Sequence, residues 1–356
     1  YKRQRFTHLD GAGRPAATAA EVPTRRPAGA APGMLRTSGP DASACSGCHN
    51  QPEAGGAGDF VANVFVAPQD IEYDFDSVSP DLSMERGTTA LHGAGLLELL
   101  AREMTAELHD QRDAAVAEAR RTGQAVYAPL SAKGVEFGWI TAAADGVVDT
   151  DAVEGVHADL VVKPFGQKAV TISLRQFSVT AFNQHHGMQP VERFGPRWTG
   201  EADFDFDGIA AELSEGDVTA AVLFQATLRP PTRRLPDHPV LRAAVGRGES
   251  LFAEIGCAGC HVPALPLDSA IFVEPGPYNP AGTLRPAEAG GLVAVDLAAL
   301  WGDRLAVDDR GRLLVPAFTD LKRHVIADAE RPYFANELIT QNFVPRDRFR
   351  TAPLWG

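Results

Sequence analysis

Two five-residue strings constrain this chain more than any other feature: CSGCH, from Cys45 to His49, and CAGCH, from Cys257 to His261. Together they use all four cysteines of the sequence. Two thiols at this spacing can add across the two vinyl groups of a haem, and a histidine in the next position then lies under the iron as its proximal ligand. A Cys-x-x-Cys pair alone also suits a thioredoxin-type redox pair, and two pairs together suit a four-cysteine zinc site. Neither alternative calls for a histidine after each pair, and no cysteine remains for a disulfide framework. The spacing therefore predicts two covalently bound haem c groups, attached at Cys45, Cys48, Cys257 and Cys260, with His49 and His261 as proximal iron ligands. Attachment of c-type haem occurs on the oxidising side of a membrane, so the expected location is periplasmic or otherwise extracytoplasmic.

The 356 residues suffice for two or three compact units, and an apolar fraction of 44% supplies real hydrophobic cores. A net charge of -13 repels nucleic acid and anionic lipid and favours a basic redox partner. No stretch approaches the roughly 20 apolar residues of a helical membrane span, so none is expected. The chain begins at Tyr1 without a signal-peptide pattern, which reads as a processed or trimmed start.

Residues 11–40 are rich in Ala, Pro and Gly, with Pro15, Pro23, Pro27 and Pro32 opposing helix, and 1–40 reads as an extended N-terminal arm. A first haem domain is expected over 41–229, a linker over 230–238 and a second haem domain over 239–356. The run FVANVFV at 60–66 reads as a short buried strand or turn. Leu96, Leu99, Leu100, Met104 and Leu108 recur at helical spacing, which predicts a long helix over 91–121 ended by Gly123. Alternating runs between 126 and 175 (Val135, Phe137, Trp139; Leu160 to Val162; Val170, Ile172) predict a small antiparallel sheet. Helices are expected at 217–228, stopped by Pro230 and Pro231, and from Pro239 to Ile255, whose Phe252 would pack beside the second haem. The fold class expected is mainly α: two cytochrome c-type haem domains, the first enlarged by a small inserted antiparallel β-sheet.

The strings SGPDASACSGCHNQPEAGGAGDFVANVFV, LLELLAREM, SLRQF, HHGMQPVERFG, FAEIGCAGCHVPALPL and AFTDLKRH resemble the bacterial di-haem oxidoreductase family, a group distantly similar to di-haem cytochrome c peroxidases and often labelled thiol oxidoreductases. The resemblance runs from about Arg5 to Gly356. It implies a peroxidase-like redox enzyme that passes electrons between two haems to a substrate-binding iron, served by an electron donor or acceptor such as a small cytochrome or cupredoxin. It also implies a final helix after FRTAPLWG that this sequence does not contain, so that the second haem domain lacks its C-terminal end. The chain departs from the family after AFTDLKRH, where Val325, Ile326 and Ala327 follow.

Each iron has a second axial position. The densest candidate group is His185, His186 and Met188, which reads either as a haem pocket or as a polar turn with one core methionine. His324, after an expected short helix, is the candidate near the second haem; the alternative is an exposed basic patch with Lys322 and Arg323. Peroxide cleavage needs an open iron and a base, for which Gln51, Glu53 and Glu192 are the candidate catalytic groups, with plain surface glutamate as the alternative. An iron held firmly on both faces can only pass electrons. Asp203, Asp205 and Asp207, in DFDFDG, read as the first half of a calcium loop or as a solvated acidic turn; the closing bidentate Glu is replaced by Ser214. Three functions stay open: a redox enzyme acting on a small-molecule substrate, an electron-transfer di-haem cytochrome belonging to a larger redox complex, and a structural or adaptor domain of such a complex.

Overall fold

A computed structural model describes residues 35–36, 44–66, 83–204, 208–328, 330 and 344–354. The expected N-terminal arm lies outside the described residues except for β1 (Leu35–Arg36), which pairs antiparallel with β2 (Gly58–Val66); β2 pairs in turn with β3 (Ser83–Thr88).

The long helix α1 spans Ala94–Thr122. Gly93 (φ 72) precedes it and Gly123 (φ 70) ends it, both in the left-handed region that glycine enters without a side-chain clash. Arg120 and Arg121 occupy the negative end of the helix dipole. His92 therefore precedes the helix rather than riding on it. Leu96, Leu100, Met104 and Leu108 are fully buried, and each such side chain contributes roughly 1.5–3 kcal/mol through removal from water. Close approach to α5 (Glu215–Ala226) requires glycine at 95, where any Cβ would collide with the backbone of Ala226.

The inserted sheet consists of β4 (Val126–Ala132), β5 (Val135–Ala142) and the short β6 (Val148–Asp149), all antiparallel. Lys133 and Gly134 form the two-residue hairpin, both with positive φ, as the twist of paired strands favours. Leu130, Phe137 and Ile140 point inward onto α1. The expected strands near 160 and 170 are absent: that stretch has only an isolated bridge between Phe165 and Thr171, because its apolar residues fill gaps around α1 one at a time instead of pairing.

The expectation of a mainly α fold is overturned. Helices α2 (Leu174–Ala181), α3 (Val191–Phe194), α4 (Pro196–Thr199), α6 (Pro239–Glu254) and α7 (Leu297–Trp301) are interspersed with further strands. After the second Cys-x-x-Cys-His string come β7 (Leu265–Leu267), β8 (Ile271–Glu274), β9 (Val293–Asp296), β10 (Leu313–Val315), β11 (Arg323–Val325) and β12 (Arg348–Arg350), paired β7 with β10, β8 with β9 and β11 with β12. The architecture is mixed α and β. Prolines at 263, 266, 275, 277 and 280 exclude helix there, and the strand partners lie far apart in sequence.

The part beyond 239 does not build a separate core. Leu265, Leu267, Phe272, Leu297 and Val315 join the same buried cluster as α1 and the β4–β6 sheet. A buried ionic group crosses the same boundary. Arg175 on α2 bonds Glu192 (2.8 Å) and Glu274 of β8 (2.9 Å), while Arg102 on α1 bonds Glu98 (2.6 Å).

Candidate functional site

The two Cys-x-x-Cys-His strings have the same local geometry despite unlike surroundings. Each forms a short 3-10 turn, Cys45–Gly47 and Cys257–Gly259. In each, the histidine amide donates to the carbonyl of the first cysteine at 2.9 Å. No disulfide joins the four cysteines. In each, the histidine Nδ1 meets a distant backbone carbonyl: His49 that of Thr89 at 2.7 Å, His261 that of Phe318 at 2.9 Å. A carbonyl only accepts, so Nδ1 carries the proton in both rings and the lone pair sits on Nε2. Such a contact fixes the tautomer and orientation of an imidazole that binds a metal through its other nitrogen. The histidine of each string therefore fits the role of an iron ligand through Nε2.

At the first string, the following glycine loop folds back on the attachment turn. A Cβ on Gly58 would collide with the Cys48 carbonyl, and one on Gly56 with the Gln51 carbonyl. Here glycine is required by close backbone approach. Helix α2, capped by Ser173, widens after Ala181 into a π-turn over Phe182–His186, closed by Gly187 in the left-handed conformation. The widened turn brings the histidine pair to the first string. His186 Nε2 is 3.8 Å from Cys45 Sγ, and this contact holds the thiol below its ordinary value. Burial lowers the pKa of His49, the carbonyls of Thr89 and Gly56 oppose that, and nearby charge on His185 lowers it further. Met188 diverges from the pair and packs against the core.

At the second string, Phe252 of α6 lies 6.3 Å from the His261 ring and 6.1 Å from that of Phe318. Phe318 adopts φ 53, an unfavourable conformation for a bulky residue that costs of order 1–3 kcal/mol and is typical of residues held for function. His324 does not follow a short helix: it lies on β11, and its Nε2 meets Asp320 Oδ2 at 2.6 Å. Cys260, Asp320 and His324 place one ligand atom each within 4.8 Å of one another. Asp320 escaped the sequence reading, although an acid four residues before a histidine was its visible signal. Helix α6 buries none of its residues: Leu241 is 55% exposed and Ile255 66%, on the side that also carries Val245 and Phe252. An isolated helix of 16 residues is marginal in water without a packing partner.

The other candidates sit elsewhere. Glu53 is exposed and pairs with Arg229 at 2.5 Å. Gln51 is exposed, and its backbone bridges Ala57. Glu192 is buried in the Arg175 ionic group and also accepts from the Leu284 amide, so it serves the core rather than either string. His92, half-buried beside Gly55, has its Nε2 4.0 Å from Glu53 Oε1 and without a hydrogen-bond partner. Asp205 and Asp207 of the calcium reading lie outside the described residues; Asp203 accepts from the Gly208 amide at 3.0 Å, closing the turn on itself. Among the described residues no helix is long and apolar enough to cross a membrane.

No family model, curated protein or solved structure matches the chain.

Proposed function

We propose that this protein is a two-haem c-type redox enzyme of peroxidase-like type, acting on a small-molecule oxidant in an extracytoplasmic compartment and served by a small cytochrome or cupredoxin. The observation that carries the haem reading is the repeated geometry of the two strings, each with its Nδ1–H held by a remote carbonyl. The apolar face of α6 supports it, because the group tethered at Cys257 and Cys260 would lie against that face. Resemblance to the di-haem oxidoreductases supports the enzymatic part.

A haem held at each string would supply one-electron redox chemistry at iron. The chain's own residues divide the remaining work. His49 and His261 would bind that iron through Nε2. Cys45, with its thiol held low by His186, is prepared to act as a thiolate in thioether formation. His185 and His186 are placed to take a proton and return it near the first string. At the second string the nearby dyad is Asp320–His324, a different chemical environment, and unlike surroundings are what separate two haem potentials. The test is an optical spectrum with added cyanide or azide. High-spin bands that shift at one haem only are expected. Two low-spin haems, neither binding an added ligand, would replace this reading by plain electron transfer.

A second reading has an observation of its own. Cys260, Asp320 and His324 are grouped as ligands of a transition metal such as zinc. Cys260 cannot be both a thioether and a thiolate ligand, so the two readings exclude one another at that sulfur.

A further inference from the structure

A separate cleft of about 170 Å³ opens between the start of α1 and strand β12. Its walls include Leu97, Phe165, Leu174, Phe177 and Thr89, and Arg350 is the cation among the described lining residues. Arg350 is only 8% exposed. Its Nε donates to the Gly166 carbonyl (3.1 Å) and its Nη1 to the Thr351 carbonyl (3.0 Å). Among the described residues no carboxylate stands within ion-pair distance of it, unlike Arg102 and Arg175, which are buried with glutamates.

We propose that this cleft is a binding site for a small monocarboxylate with an apolar body. This buried guanidinium bonds only neutral carbonyls, and Asp320, whose charge also acts on it, is not in ion-pair contact with it, so it lacks the direct carboxylate partner that buried cations ordinarily have. Its planar donor set matches a carboxylate. The start of α1 also lines the cleft at Ala94; the amides of Ala94 and Leu96 are taken by the carbonyls of Leu91 and Gly93, so the helix adds only its dipole potential and no direct donor. The leucine and phenylalanine walls select an apolar body and oppose a fully hydrated anion such as phosphate. Burial lowers the pKa of Arg350 to about 10, partly offset by the charge of Asp320, so the group is still a cation at neutral pH. The carbonyl of Thr89, on the cleft wall, is the acceptor that holds His49, so a ligand here would lie behind the first attachment string without touching it.

Isothermal titration calorimetry on the purified full chain tests this without any haem signal, so its outcome is independent of the redox reading. Benzoate and hexanoate should bind saturably, at least tenfold more tightly than benzyl alcohol, hexanol or inorganic phosphate. Arg350→Gln should weaken carboxylate binding at least tenfold. Should that variant fail to fold, Ala90→Leu, which fills the cleft from its rim and keeps Arg350, should abolish binding. Absence of saturable binding overturns the proposal. So does equal affinity for the alcohols or phosphate, and so does binding unchanged by either variant.

Discussion

At the scale of single residues, the informative contacts are those that set a proton. His49 and His261 each have Nδ1 occupied by a carbonyl, and that decides which nitrogen is left to bind a metal. His186 acts on Cys45 in the same local way, holding the thiol low by hydrogen bonding against the opposing effect of burial. Replacing it, as His186→Phe, should raise the pKa of Cys45. In haem-free protein, alkylation of that thiol near neutral pH should then slow several-fold, while Cys257, far from this imidazole in sequence, keeps its rate; an unchanged rate at Cys45 would show that the contact has no effect on its ionisation. The two Cys-x-x-Cys-His strings were legible in the sequence because five consecutive letters spell each one. The partners Thr89, Phe318 and Asp320 were not: two act through backbone carbonyls, which any residue type could supply, and the third lies 60 positions from the cysteine it approaches.

Among the elements, α1 is the one most plainly written in the sequence, because its apolar residues recur at helical spacing and glycine stands at both ends. It is also the element against which the rest packs. Leu100→Ala removes a fully buried side chain at its centre and should cost about 2–5 kcal/mol, read as a lower midpoint in urea unfolding with an unchanged slope. A loss under 1 kcal/mol would mean that α1 is not central to the core. The small strands after residue 264 were not foreseen. Each is three or four residues long, too short for an alternating pattern to stand out, and each gains its hydrogen bonds from a partner that only tertiary structure brings near. The π-turn after α2 was equally hidden, since nothing in FNQHH distinguishes it from a helix end, yet it is what turns both imidazoles toward the first string.

For the molecule as a whole, the common core matters more than the division into two parts expected around residues 230–238. Glu98, Glu192 and Glu274 surround Arg102 and Arg175, three buried acids for two cations. Burial, with the charge of Glu98 added, raises the pKa of Glu274 from 4.5 to about 7 against the opposing pull of Arg175 and Arg102. A carboxyl whose folded pKa lies above its unfolded value contributes stability that is fully present below the unfolded value and lost as pH rises through the folded one. Stability should therefore fall between pH 4.5 and about 7, and Glu274→Gln, which keeps the neutral form, should flatten that fall in urea titrations repeated across the range. A steeper fall in the variant would contradict this assignment. The central claim, two covalent haems on one chain, is tested most directly by the intact mass of the acid-denatured protein made with a c-type haem maturation system. The chain should be heavier by two haem groups, and by one in Cys45→Ala/Cys48→Ala or in Cys257→Ala/Cys260→Ala. A chain of unmodified mass, with four titratable thiols and bound zinc, would contradict it.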